Sequence, residues 1–145
     1  MKRIDVDPDK ARGDGRTILV VDDNPKIRHA VGQAFLADGF SVCGEAANGE
    51  EAISLCNRLR PDIILLDLSM PVMNGLQAAP ELRRIAPKTP IILFTMYGNA
   101  LQQHQVAALG IDLVVSKNDP LSEIIEKVHA LLGAQQPDRA EGACG

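Results

Sequence analysis

The stretch TILVVDDNP, residues 17–25, decides how the rest of the chain is read. Its apolar residues, Ile18 to Val21, run without a polar break and then give way to Asp22 and Asp23. A strand that does not alternate with polar residues must be covered on both faces, as in a parallel sheet held between helices. The acids then fall where that strand ends, and Pro25 suits the first turn of a following helix. That helix is written in Ile27, Ala30, Val31, Ala34 and Phe35, which share one face at a period of 3.6, and Gly39 supplies its stop.

The same unit recurs outward from this stretch. FSVCG (40–44) reads as a strand, followed by a helix over about 50–60 with Ala52, Leu55, Cys56 and Leu59 on one stripe. IILL (63–66) ends in Asp67, and a helix over about 75–86 carries Leu76, Ala79, Leu82 and Ile85. IILF (91–94) ends in Thr95, and a helix near 100–109 is closed by Gly110. LVV (113–115) runs into Ser116 and Lys117. The last helix starts at Pro120, aligns Leu121, Ile124, Ile125, Val128, Leu131 and Leu132, and is expected to stop at Gly133. Five strands alternating with five helices predict a doubly wound α/β fold around a five-stranded parallel sheet. Residues 17–133 form the domain, 1–16 read as a flexible leader and 134–145 as a flexible tail. Pro80 inside the third helix removes one hydrogen bond and is expected to kink it or delay its start.

Composition narrows the function. The 145 residues carry 15 Lys or Arg against 19 Asp or Glu, a net charge of −4, with three Phe, one Tyr and no Trp. So acidic a chain lacks the basic face that a phosphate backbone requires, so no nucleic acid partner is expected. No apolar run approaches membrane-spanning length, and residues 1–16 hold no secretory signal, so no membrane association is expected. The three cysteines, Cys43, Cys56 and Cys144, are odd in number and unpaired in spacing, which fits a reducing, cytoplasmic setting. Cys43 and Cys56 read as core fillers, and His29, His104 and His129 as solvent-facing.

In open parallel sheets the site lies beyond the carboxyl ends of the strands. There the fold gathers Asp22, Asp23, Asp67, Thr95 and Lys117. Three crowded carboxylates raise one another's pKa unless a cation sits among them, and Mg2+ takes such oxygen ligands readily. One carboxylate can then act as a nucleophile toward a phosphoryl donor, with metal, ammonium and hydroxyl neutralising the phosphoryl oxygens.

These residues resemble the receiver domains of two-component response regulators, the CheY-like superfamily. The matching segments are ILVVDDN (18–24), DIILLDLSMP (62–71) with MNG (73–75), PIILFT (90–95) and VVSK (114–117). The resemblance implies the strand order 2-1-3-4-5. It implies Asp67 as phosphoacceptor, and a Mg2+ site made by Asp22, Asp23, Asp67 and the backbone carbonyl of Ser69. It makes Thr95 the switch hydroxyl and Lys117 its phosphoryl-binding partner. Gly75 matches a place where the chain must turn tightly.

Three positions depart from the family pattern. Val114 stands where a switch aromatic is usual, with Tyr97 a nearby substitute. Met96 stands where a small residue usually leaves the pocket open, and Asn118 where proline often follows the lysine. The resemblance implies a single-domain regulator that accepts a phosphoryl group from a sensor histidine kinase or histidine phosphotransfer protein. Its output would pass to a protein partner or a second copy through the fourth-helix, fifth-strand, fifth-helix face, since the chain as given leaves no room for an output domain. Enzymatic turnover is not expected. The alternatives are a degenerate receiver that binds partners without phosphorylation, an aspartyl-nucleophile phosphatase, and a flavin mononucleotide carrier. The phosphatase lacks its second acid, because Ser69 occupies that place. The flavin carrier lacks a glycine- and hydroxyl-rich phosphate loop after the first strand.

Overall fold

The computed structural model describes residues 15–96 and 103–144, with side-chain surroundings for 15–96 and 104–133. Ten elements alternate along the chain: β1 (Thr17–Val21), α1 (Pro25–Ala37), β2 (Ser41–Ala46), α2 (Gly49–Leu59), β3 (Ile63–Asp67), α3 (Gly75–Ile85), β4 (Ile91–Thr95), α4 (Gln103–Ala107), β5 (Leu113–Ser116) and α5 (Leu121–Cys144). The strands form one parallel sheet in the order β2-β1-β3-β4-β5, the doubly wound fold that the alternation predicts.

The period of two along each strand divides the core into two layers. Ile18, Val20, Ile63, Leu65, Ile92, Phe94 and Val115 face α1 and α5, where Val31, Phe35, Ile124, Val128 and Leu132 cover them. Leu19, Val21, Ile64, Leu66, Ile91 and Leu93 face the other way, against Ala52, Cys56, Ala78, Ala79, Leu82 and Val106. Every residue of β3 and β4 is buried, which is why neither strand alternates with polar residues.

Asparagine starts each of the first three helices. Asn24, Asn48 and Asn74 accept backbone N–H bonds from Ile27, Glu51 and Gln77, so the short strand-to-helix loops end in side-chain caps. In α3 the Gln77 side chain also accepts from the Asn74 N–H, a reciprocal capping box. That cap fixes the helix start at Gly75, so Pro80 does not delay it. The Pro80 ring instead lies on the exposed side of α3.

Several expected boundaries shift for identifiable reasons. β2 begins at Ser41, one residue after Phe40, and continues to Ala46. The register jumps at Cys43: Ile18 pairs with Val42, but Leu19 pairs with Gly44. This bulge lets Glu45 and Ala46 stay paired beyond the expected end of the strand. Phe40 packs edge-to-face on Phe35 with ring centroids 5.1 Å apart. Within α1, Ala30 is exposed although the apolar stripe places it inward. α5 does not stop at Gly133, which lacks a left-handed φ and has open space around its Cα, so the helix continues to Cys144.

His129, expected on a wet face, is half-buried instead. Its Nε2 lies 2.5 Å from Asp38 Oδ2 at the end of α1, and its ring lies 5.5 Å from Phe40. Cys56 is buried and Cys43 half-buried, and burial pushes both thiols up, as befits inert fillers. Among the described residues no helix is long and apolar enough to cross a membrane.

Candidate functional site

The carboxyl ends of β1, β3, β4 and β5 converge at one edge of the sheet. Asp22 and Asp67 continue the face on which Val20 and Leu65 point toward α1 and α5, and both are almost fully buried, at 1 % and 3 % exposure. Lys117 continues the same face two residues beyond Val115. Its Nζ lies 2.8 Å from Asp22 Oδ2 and 3.0 Å from Asp67 Oδ1, so one ammonium bridges two carboxylates carried by different strands. Asp23 is exposed beside them, and one oxygen from each of Asp22, Asp23 and Asp67 lies within 4.8 Å of the others.

Backbone and side-chain contacts hold this edge in place. The Asp22 N–H donates to Ala46 O at 3.0 Å, and Asp22 Oδ1 accepts from the Asn24 N–H at 2.9 Å. Arg28 donates through Nη1 to the Asp22 carbonyl at 2.7 Å and through Nε to Glu45 at 2.8 Å. It therefore ties α1, the end of β1 and the extension of β2 together. The Lys117 N–H donates to the Thr95 carbonyl at 2.9 Å, which links the lysine to the end of β4. Thr95 itself is buried and faces Ser116 across the ladder.

Burial pushes the Asp67 carboxyl up to about 6; the nearby Asp22 charge adds to this, and hydrogen bonds from Lys117 and the Ser69 backbone oppose it. Burial pulls Lys117 down, but the Asp22 and Asp67 carboxylates outweigh it and hold the ammonium above its usual range. Oδ2 of Asp22 is buried and lies 2.8 Å from the Lys117 ammonium, which it shares with Asp67. Three carboxylate oxygens within 4.8 Å of one another, two of them from buried acids that share a single ammonium, fit a hard divalent cation with oxygen ligands.

The loop after β3 is tightly wound. The Met73 N–H donates to Pro71 O at 2.7 Å across Val72, whose φ is +68°. That is a γ-turn of the strained hand, carried by a β-branched residue that is 71 % exposed. Gly75 answers a different need from the one the sequence implies. Its φ is not left-handed, but a Cβ there would stand 2.3 Å from the Asp67 carbonyl oxygen. Only glycine lets α3 start against the backbone of the buried acid.

The structure thus brings together Asp22, Asp23, Asp67, Lys117 and the Thr95 backbone. Ser69 is exposed in the loop two residues after Asp67. Val114 points into the opposite layer from Lys117, half-buried beside Leu93. Met96 is 55 % exposed at the end of β4, and Tyr97 lies outside the described residues. Two participants escaped the sequence reading. Arg28 sits on a helix face that looks merely polar. Phe94 lies with its ring 5.4 Å below the Lys117 ammonium; strand parity could have found it, since it is paired with Val115 and so shares the face of Lys117.

An acidic pocket bridged by lysine lies at the carboxyl edge of a doubly wound sheet ordered 2-1-3-4-5. Residues 18–129 match the response regulator receiver domain family, and the chain belongs to it. It is 38 % identical over 116 residues to the nitrate/nitrite response regulator protein NarL of Escherichia coli (strain K12), covering 78 % of this chain and 53 % of that protein. It is 34 % identical over 116 residues to the chemotaxis protein CheY of Thermotoga maritima, covering 79 % of this chain and 96 % of that one. The receiver domain of AraT, a response regulator from Geobacillus stearothermophilus, superposes with a TM-score of 0.71 at 30 % identity, covering 83 % of this chain and 98 % of that one. The chain spans about half the length of NarL.

Proposed function

We propose that the domain accepts a phosphoryl group on Asp67 from a phosphohistidine of a sensor histidine kinase or histidine phosphotransfer protein, in the cytoplasm. The observation that carries this reading is the single ammonium of Lys117 shared between Asp22 and Asp67. A carboxylate oxygen of Asp67 attacks phosphorus, the phosphorus–nitrogen bond of the donor breaks, and the imidazole leaves with the electron pair. The attacking acid must be ionised, and Lys117 favours that form against the burial that opposes it. The same ammonium then neutralises an oxygen of the acyl phosphate.

Asp22, Asp23, Asp67 and the Ser69 backbone carbonyl would hold Mg2+. Bound there, the ion supplies the positive charge that lets a phosphoryl group approach three acids. Thr95, joined through its carbonyl to the Lys117 backbone, is placed to report the new charge to β4. The receiving surface for a protein partner or a second copy is the face made by α4, β5 and α5.

The test is incubation with acetyl phosphate and Mg2+, followed by intact mass. The expected result is one phosphoryl adduct on wild type, dependent on Mg2+ and lost in Asp67→Ala. Continuous phosphate release from generic substrates would point to a phosphatase. Absence of any adduct would leave an interaction module that works without phosphorylation.

A further inference from the structure

Lys117 has a long, flexible side chain, yet its function in the proposed reaction requires one position. Two carboxylates attract it from one side, at 2.8 and 3.0 Å. On another side lies Phe94, whose ring centroid is 5.4 Å from Nζ. Phe94 is 3 % exposed and the lysine side chain 12 %, so little water competes for the ammonium. Across the ladder Phe94 is flanked by Val115 on β5 and by Asp67 on β3, with Ile92 two residues earlier on its own strand. Aliphatic side chains also pack in this layer, but only an aromatic ring presents a negative face to a cation.

We propose that Phe94 is a positioning residue for Lys117, its ring holding the ammonium by a cation–π contact in register with Asp22 and Asp67. This rests on the reading of Asp67 as phosphoacceptor for its effect on rate, but the contact itself exists without any reaction. When the acids are engaged by a cation or a phosphoryl group, the ring remains as the partner that keeps the lysine from swinging to solvent.

The experiment replaces Phe94 with mono-, di- and trifluorophenylalanine, which keep shape while draining the negative face of the ring, and adds Phe94→Leu. Two readouts are taken: the proton chemical shifts of the Lys117 side chain in metal-free protein, and the rate of adduct formation from acetyl phosphate with Mg2+. The expected result is a ring-current displacement of the Lys117 methylene signals in wild type. The trifluoro protein should react about fivefold more slowly, the loss a cation–π contact of ordinary strength would produce, with intermediate rates in between and unchanged melting temperatures. Lys117 signals without ring-current displacement, or rates indifferent to fluorine, would overturn the proposal. If wild type forms no adduct, the phosphoacceptor reading fails, while the Lys117 signals across the fluorine series still decide whether the ring holds the ammonium.

Discussion

Asp67 is held in the fold at a cost that depends on pH. Its carboxyl titrates near 6 in the folded chain against 3.8 for the free group, chiefly because it is buried. A carboxyl raised in this way contributes stability that is fully present below about pH 4 and is lost as pH rises through about 6. In metal-free protein Asp67→Asn should therefore be more stable than wild type at pH 7.5 by roughly 1–3 kcal/mol, with the advantage vanishing near pH 4. Urea unfolding of both proteins in EDTA across that range reads the difference directly. A second residue-scale prediction concerns Gly75, whose added Cβ would strike the Asp67 carbonyl at 2.3 Å. Gly75→Ala should destabilise by about 1–3 kcal/mol, the usual penalty of overpacking, in the same unfolding assay. The acids and the lysine were legible in the sequence because each sits at the end of an unbroken apolar run. Gly75 was legible as a residue but not in its reason, since close approach of α3 to β3 is a property of packing and leaves no local pattern. Arg28 was not legible at all, because its partners are a main-chain carbonyl and a glutamate 17 residues away.

At the scale of elements, the sheet supplies its own order while the helices need fastening. Arg83 at the end of α3 is the clearest fastener. It donates to the carbonyls of Ala86, Pro87 and Gly110 and pairs with Asp112 at 2.6 Å. Asp112 in turn accepts the Ile91 N–H at 2.8 Å, so α3, β4 and the entry to β5 meet at one guanidinium. Gly110 lies flat against the Arg83 stem, with φ +94°. Arg83→Ala is expected to cost about 2 kcal/mol, the order of charge-assisted hydrogen bonds lost from a partly exposed site, measured by thermal unfolding. The central strands could be read from unbroken apolar runs and most helices from a period of 3.6, whereas the fourth helix offered only its closing Gly110. Several of the elements' ends could not be read. The Cys43 bulge resets the pairing of β2 with no residue to announce it, and α5 passes a glycine that the rules for caps would make a stop.

For the whole molecule, the fold and the acidic pocket form one thermodynamic unit. A cation that binds only the folded chain adds stability by mass action. Mg2+ at a hundred times its dissociation constant should add about 2.7 kcal/mol, raising the melting temperature by several degrees, and Asp22→Asn should abolish most of that gain. A melting curve that ignores Mg2+ would contradict the cation site while leaving the fold untouched. The bulge in β2 also bears on how copies of this molecule meet. β2 is an outer strand of the sheet, and its free main-chain groups would otherwise offer a template to any neighbouring polypeptide. The kink at Cys43 breaks the even spacing such a template needs, and Glu45 leaves a charge on that margin. Crowded together, these molecules are thereby discouraged from zipping strand to strand along this margin into insoluble fibres.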